Sequence, residues 1–117
     1  MEQIINLSDL ADLRKELKKK RKSIVFTSGA YDLIHVGHAR YLAAAAKKGD
    51  VLIVGVTGNE AIRKLKGSGK PILDEKVRSE MLLYLSSVDY VVIIPEITIR
   101  SALIILRPDI FVTVGEE

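Results

Sequence analysis

The chain has 117 residues, a formal net charge of +3, 48% hydrophobic and 28% charged residues, and no cysteine. That is the composition of one ordinary globular domain, and it excludes disulfides, thiolate zinc sites and cysteine nucleophiles. No apolar run approaches the roughly 18 residues of a membrane span. Met1-Glu2-Gln3 opens without the basic and apolar regions of a secretory signal, so a cytoplasmic protein with no membrane partner is expected.

Asn6-Leu7-Ser8-Asp9-Leu10 opens a helical pattern, with Asn6 or Ser8 as cap and Leu7, Leu10, Leu13 and Leu17 at helical spacing. The helix runs into a basic segment, residues 14–22, where seven bases stand against Glu16 and outweigh a net acidic remainder. A solvated helix face with a cationic last turn explains this segment. A nucleic-acid footprint is the weaker reading, because no aromatic residue interleaves the charges. Ser23–Thr27 is the first expected strand, and Ser28-Gly29-Ala30 breaks it.

An Ala-rich helix over 36–48 follows, stopped by Gly49-Asp50. Val51–Val56, apolar throughout, reads as a strand covered on both faces. Glu60–Lys66 is helical, and Gly67-Ser68-Gly69-Lys70-Pro71 is a loop expected to be mobile. Asp74–Leu85 is a helix expected to bury Val77, Met81, Leu82 and Leu85. A strand over 90–94, a helix from a Thr98 cap to Leu106 and a strand over 110–114 complete the chain.

Strands alternate with helices throughout. The fold class expected is therefore α/β, a three-layer Rossmann-like parallel sheet with helices on both faces. The organisation is a single domain, residues 1–117, with an N-terminal helix and basic turn (1–22) before a βα core (23–117). Such sheets bind ligands beyond the carboxyl ends of their strands.

After the first strand stands Ser28-Gly29-Ala30-Tyr31-Asp32-Leu33-Ile34-His35-Val36-Gly37-His38. Gly29-Ala30 lets the backbone approach a ligand. His35 and His38, the only histidines, share one face of a helix start, where free N–H groups and the helix dipole favour an anion. Two imidazoles over a helix N-terminus suit phosphate oxygens. Zinc fits less well: the histidines are three apart with no intervening Glu, and neither Cys nor a third His completes a tetrahedron. Ser28 lacks the G-x-S-x-G setting of a nucleophile, and one glycine stands where a dinucleotide fingerprint needs three.

The segment 28–38 resembles the H-x-G-H signature of the cytidylyltransferase-like nucleotidyltransferase superfamily, within which the chain is most similar to heptose-1-phosphate adenylyltransferases and glycerol-3-phosphate cytidylyltransferases. The likeness extends over roughly residues 7–117. It takes in Tyr41-Leu42, Gly49–Val56, Arg63–Gly67, Pro71-Ile72, Arg78, Ser87-Val88-Asp89 and Leu106-Arg107-Pro108-Asp109. It implies transfer of a nucleotidyl group from ATP, or CTP, to a sugar or polyol phosphate with release of pyrophosphate, and a place in lipopolysaccharide core biosynthesis.

By that resemblance His35 and His38 bind the α/β phosphates and stabilise the transition state. Gly29, Ala30, Tyr31 and Glu116 contact the nucleotide. Lys64 and Lys66, in the loop after the second strand, and Arg78 in the following helix contact phosphate and share in catalysis. Asp32 lies on the substrate side, where a short carboxylate in a turn orients the loop by hydrogen bonds. Mg²⁺ accompanies the nucleoside triphosphate, the partners are that triphosphate and a phosphorylated small molecule, and a homodimer is implied. The family carries a Ser/Thr-rich nucleotide motif in a last helix after a fifth strand. The sequence stops at Glu116-Glu117 before both, and Thr113-Val114-Gly115-Glu116 stands where relatives have a Lys-Gly-Gly-Asp-like stretch. A truncated nucleotide- or phosphate-binding module, FAD synthetase-like activity and glycerol-3-phosphate cytidylyltransferase-like activity are the alternatives.

Overall fold

The computed structural model describes residues 2–113. Five strands form one sheet: β1 (Ile4–Asn6), β2 (Ile24–Gly29), β3 (Val51–Thr57), β4 (Tyr90–Ile94) and β5 (Ile110–Phe111). Their order is β1-β4-β3-β2-β5, and every neighbouring pair is parallel. The helices are α1 (Leu10–Lys19), α2 (Val36–Ala46), α3 (Asn59–Lys66), α4 (Glu75–Leu83) and α5 (Arg100–Leu106).

Alternation along each strand sorts its side chains into two cores. Ile24 and Phe26 of β2, Ile53 of β3, and Val92 and Ile94 of β4 pack with Leu10, Leu13 and Leu17 of α1 and Ala102 and Leu106 of α5. Val25, Leu52, Val54, Val56 and Val91 face the other way, onto Leu42 and Ala45 of α2 and Leu82 of α4. Period-two alternation with both faces apolar is what a sheet between two helical layers requires.

Several elements differ from the sequence reading. Strand β1 is an addition: Ile4, Ile5 and Asn6 pair with Val91, Val92 and Ile93, and three residues are too short a run to show a period. Neither Asn6 nor Ser8 caps α1. A 3₁₀ turn over Leu7–Asp9 leads into it instead, and the residue at its cap, Asp9, makes no side-chain bond.

Strand β2 does not break at Ser28. Its ladder with β3 continues through Ser28↔Gly55 and Gly29↔Val56. At Gly55 a Cβ would come within 2.6 Å of Ile94 and 2.9 Å of Phe26, so the glycine there is a packing requirement. On α4, Val77 and Met81 are exposed, whereas Arg78 and Ser79 are buried with Leu82; polar partners decide which face turns inward. Thr98 accepts the Arg100 N–H only at 3.4 Å, and Ile99 takes the cap position of α5. Of the strand expected over 110–114, β5 covers Ile110–Phe111; its last residue lies outside the described residues.

Candidate active site

The carboxyl end of β2 and the start of α2 open into a cleft of about 520 Å³, whose lining includes Gly29, Tyr31, His35, His38, Tyr41 and Lys66. Tyr31 turns the chain out of β2 with a left-handed φ of 52°, a conformation uncommon outside glycine. Its ring is buried and lies over Gly29, where a Cβ would come within 2.9 Å of Tyr31 Cε2. Burial, with the Tyr41 phenol adding to it and a bond to Thr27 working against it, pushes the Tyr31 hydroxyl up to about 12. Tyr31 therefore stays neutral and serves as a wall, edge-on to His38 with ring centroids 5.7 Å apart. Tyr41 is fixed by a 2.9 Å hydrogen bond between its hydroxyl and that of Thr27.

His35 caps α2, and the two histidines lock each other in place. The Gly37 N–H donates to His35 Nδ1 at 2.9 Å, and the His35 N–H donates to His38 Nδ1 at 3.1 Å. A neutral imidazole carries one N–H. With both Nδ1 atoms accepting, the hydrogens sit on the two Nε2 atoms, and these are the donors the rings have left to offer. The rings are close, with centroids 4.2 Å apart. Burial, and then the neighbouring His35, lower the His38 pKa, which favours the same neutral form.

Gly37 explains the spacing. A Cβ there would come within 2.7 Å of His35 Cε1, so only glycine lets the His35 ring fold onto the first turn of α2. The sequence reading leaves the N–H groups of this turn free for an anion. The structure engages that of Gly37 with an imidazole, which moves the available donors from backbone to side chain.

Asp32 uses both oxygens on backbone, accepting the N–H of Ile72 at 2.7 Å and of Leu73 at 2.8 Å. Burial opposes its charge, but those two N–H groups, with Arg78 and Lys70 nearby, leave its pKa below the usual carboxylate value. The loop after α3 is thereby fastened to the turn that carries the histidines.

Arg78, expected to contact phosphate, is engaged by protein groups. It is fully buried. Its Nε donates to Leu73 O at 3.0 Å, Nη1 to Ala30 O and Thr57 O at 2.7 Å each, and Nη2 to Asn59 Oδ1 at 2.9 Å. It joins the ends of β2 and β3 to the start of α4, with four of its five N–H donors bonded to protein. The Ala30 carbonyl is taken in the same way.

Lys64 and Lys66 also part company. Both lie on α3 rather than in a loop, and two residues on a helix are turned by about 200°. Lys66 reaches the histidine cleft, whereas Lys64 lines a separate hollow with Pro95, Thr98, Arg100 and Ser101. Glu116 lies outside the described residues. Among those described, no group of three or more His, Asp or Glu is placed to hold a metal ion.

The cleft, with its paired imidazole donors at the carboxyl edge of a parallel sheet, defines a nucleotide-handling protein, and the comparison with known families agrees. Residues 26–117 match the family model described as cytidylyltransferase-like, and the chain belongs to that family of nucleotidyltransferases. More particularly, it is 41% identical over 107 residues to the bifunctional protein HldE of Syntrophotalea carbinolica. It is 42% identical over 113 residues to that of Geobacter metallireducens and 44% over 103 residues to that of Helicobacter pylori. These alignments cover 92%, 97% and 88% of this chain but only 22%, 23% and 22% of the relatives, so the chain spans less than a quarter of their length. A solved structure, the lipopolysaccharide core biosynthesis protein from Thermoplasma volcanium, superposes with a TM-score of 0.69 at 33% identity, over 77% of this chain and 72% of that one. No helix among the described residues is long and apolar enough to cross a membrane.

The sequence reading missed the mutual cap of the histidines. The signal was present as the glycine between them.

Proposed function

We propose that this chain transfers a nucleotidyl group from a nucleoside triphosphate, ATP in the first instance and CTP as the alternative, to the phosphate of a sugar phosphate. The activity is that of a heptose-1-phosphate adenylyltransferase. The observation that carries the reading is the reciprocal cap of His35 and His38, which leaves two neutral Nε2–H donors on a cleft at the carboxyl end of the sheet. The relatives named HldE and the neighbour named for lipopolysaccharide core biosynthesis support the choice of acceptor.

In this reading a phosphate oxygen of the acceptor attacks the α-phosphorus. A new P–O bond forms, the bond from the α-phosphorus to the bridging oxygen breaks, and pyrophosphate departs with that electron pair. The protein supplies position and charge stabilisation. The two Nε2–H groups, fixed in advance by their Nδ1 bonds, donate to oxygens whose negative charge grows as the bond to the leaving group breaks. Fixed donors need no reorganisation at that moment, which is the source of their effect. Lys66 adds a mobile cation at the edge of the cleft. Mg²⁺ belongs to this proposal as a companion of the triphosphate, whose oxygens are its natural ligands; the described residues form no protein cage for it. A homodimer is part of the same reading.

Pyrophosphate release tests it, with ATP and CTP each offered against heptose 1-phosphate, glycerol 3-phosphate and flavin mononucleotide. Release with ATP and the heptose phosphate is expected. Nucleotide binding without release from any pair would reduce the chain to a binding module.

A further inference from the structure

Parallel topology gathers the C-termini of α1, α2 and α5 at the amino end of the sheet, away from the histidine cleft. Strands β3, β2 and β5 start there side by side, and each is entered from a basic helix end. Five consecutive cations, Lys18–Lys22, close α1, Lys47-Lys48 follow α2, and Arg107 ends α5. Neighbouring strands lie about 4.8 Å apart, so Lys48, Lys22 and Arg107, each two or three residues before its strand, share one surface. Helices α1 and α5 cover one face of the sheet and α2 the other, so the cations spread over both helical layers. Lys18 pairs with Asp109 and Lys20 with Glu16. Lys19, Arg21, Lys22, Lys47, Lys48 and Arg107 are exposed and in no ion pair among the described residues. Asp50 and Asp89, the other carboxylates nearby, hold the N–H groups of Ser23 and Leu52.

The helix dipole accounts for a cation within a last turn, but Arg21, Lys22 and Lys48 lie beyond their helices. Two of the arginines also hold positions that ordinarily go to glycine. Arg21 and Arg107 have φ of 57° and 44°, the left-handed exit from a helix, where a Cβ carries a steric cost. The Arg21 N–H donates to Lys18 O at 3.0 Å and that of Arg107 to Leu103 O at 2.9 Å, so both are built into the ends of their helices. Such an outlier points to a use for the side chain. Between α1 and α5 lies a hollow of about 560 Å³, lined by Arg14, Lys15, Lys18, Lys19 and Arg107 with Ala11 and Ile105, and by no carboxylate.

We propose that this basic pole binds the anionic surface of a lipid bilayer, with Arg21 and Arg107 as anchors and the α1–α5 hollow receiving phosphate headgroups. Each Lys or Arg near an anionic leaflet strengthens binding by about fivefold, and clusters of roughly four to eight sustain it. Nucleic acid fits less well. Residues 14–22, 47–50 and 107–109 include no aromatic on which a base could stack, and cations from two helical layers make a broad face rather than a strip along one backbone. The contact is superficial, since no helix among the described residues is long and apolar enough to cross a membrane. Strands β2 and β3 hold 6 and 7 residues, which sets the histidine cleft about 20 Å away, open to water when the pole faces lipid.

Co-sedimentation of the full chain with vesicles tests this, using phosphatidylcholine alone or with about one-third phosphatidylglycerol. Binding is expected only with the anionic lipid, and is expected to vanish near about 1 M salt, where the screening length is about 3 Å. The decisive variant is Arg21→Gly with Arg107→Gly. Glycine suits both φ values, so the thermal midpoint is expected to hold or rise while vesicle affinity falls by about 25-fold, the product of two independent losses. Arg21→Lys with Arg107→Lys keeps the charge and is expected to stay within about threefold of the parent. Lys19→Gln with Lys48→Gln, on exposed side chains, is expected to lose affinity by about the same factor as the glycine pair. His38→Ala is expected to bind vesicles like the parent. Equal binding to phosphatidylcholine alone, affinity unmoved in both charge-removing pairs, or loss of binding in His38→Ala would overturn the proposal. So would retention of a mixed-sequence RNA without vesicle binding, which would assign the pole to nucleic acid. Release from the vesicles by inorganic phosphate at matched ionic strength would make the hollow a site for a free anion and overturn it too.

Discussion

The two ends of the parallel sheet treat their polar groups in opposite ways. At the amino end, three aspartates that each precede a strand close matching rings with the neighbouring strand. Asp50, Asp89 and Asp109 donate their N–H to the carbonyls of Ser23, Leu52 and Ile24, and their carboxylates accept the N–H of the same three residues at 2.7–2.8 Å. Ser23 adds its hydroxyl to Asp50, and Lys18 adds an ion pair to Asp109. At the carboxyl end the chain leaves β2 through a left-handed tyrosine, His35 accepts the Gly37 N–H and His38 the His35 N–H, and Lys66 is in no ion pair among the described residues. The first end satisfies its hydrogen bonds internally and gains stability. The second is built just firmly enough to hold donors whose remaining partners come from outside. Groups left open on a rigid frame mark where the ligand goes.

Substitutions should separate the ends. The largest effect is expected at Arg78, a carboxyl-end group whose hydrogen bonds go to protein. Arg78→Ala takes a donor from the part-buried carbonyls of Ala30, Thr57 and Leu73, and should cost about 3–5 kcal/mol in denaturant unfolding, the scale for breaking a buried charged network. Unchanged stability with lost activity would return Arg78 to the substrate. Next, His38→Ala should lower turnover by roughly 10²–10³, the effect of one lost transition-state donor, with stability changed by no more than about 1 kcal/mol as for sites outside the core. Unfolding of this variant, with normal activity per folded molecule, would make the histidine structural.

Smallest is the amino end. Asp89→Ala orphans the buried Leu52 N–H and should cost about 1–3 kcal/mol, with activity per folded molecule unaltered; a kinetic defect there would blur the division. The same end sets the acid limit. The bond from Lys18, joined by the Ile24 N–H, holds the Asp109 carboxyl below its ordinary 3.8. The folded state thus binds fewer protons, and the stabilisation, complete above that value, is lost as pH falls through the lowered one. Asp109→Asn should flatten this part of the stability profile, and an identical acid slope in the variant would remove the staple from the account.

Much of this was legible in the residues, and the gaps have physical causes. Apolar runs at 24–27, 51–56 and 90–94 declare strands because both faces are buried. Ile4–Asn6 does not, because three residues carry no period and their strand exists only through β4. The histidines and their glycine announce a site by type and spacing. Their lock on one another does not follow from spacing, since it depends on the χ angles that bring each Nδ1 to a backbone N–H. The surroundings of Arg78 and Lys64 were not legible for a common reason: a cation's sequence position says nothing of which side of a helix it occupies or whether carbonyls already claim it. Asp50, Asp89 and Asp109 are visible as residues before strands, yet their role needs the neighbouring strand, which parallel topology brings from 27 to 85 residues away.

In the proposed reaction His35 and His38 are neutral Nε2–H donors to the triphosphate. Imidazole ¹⁵N NMR on the full chain, recorded near neutral pH with and without ATP, addresses it directly. The account predicts both rings in the Nε2–H tautomer before ligand is added, both Nδ1 atoms unprotonated, and ATP-dependent shifts at the two Nε2 atoms that vanish at the substituted ring in His35→Ala and His38→Ala. Rings found as Nδ1–H tautomers or as imidazolium, or Nε2 signals indifferent to saturating ATP, would contradict it.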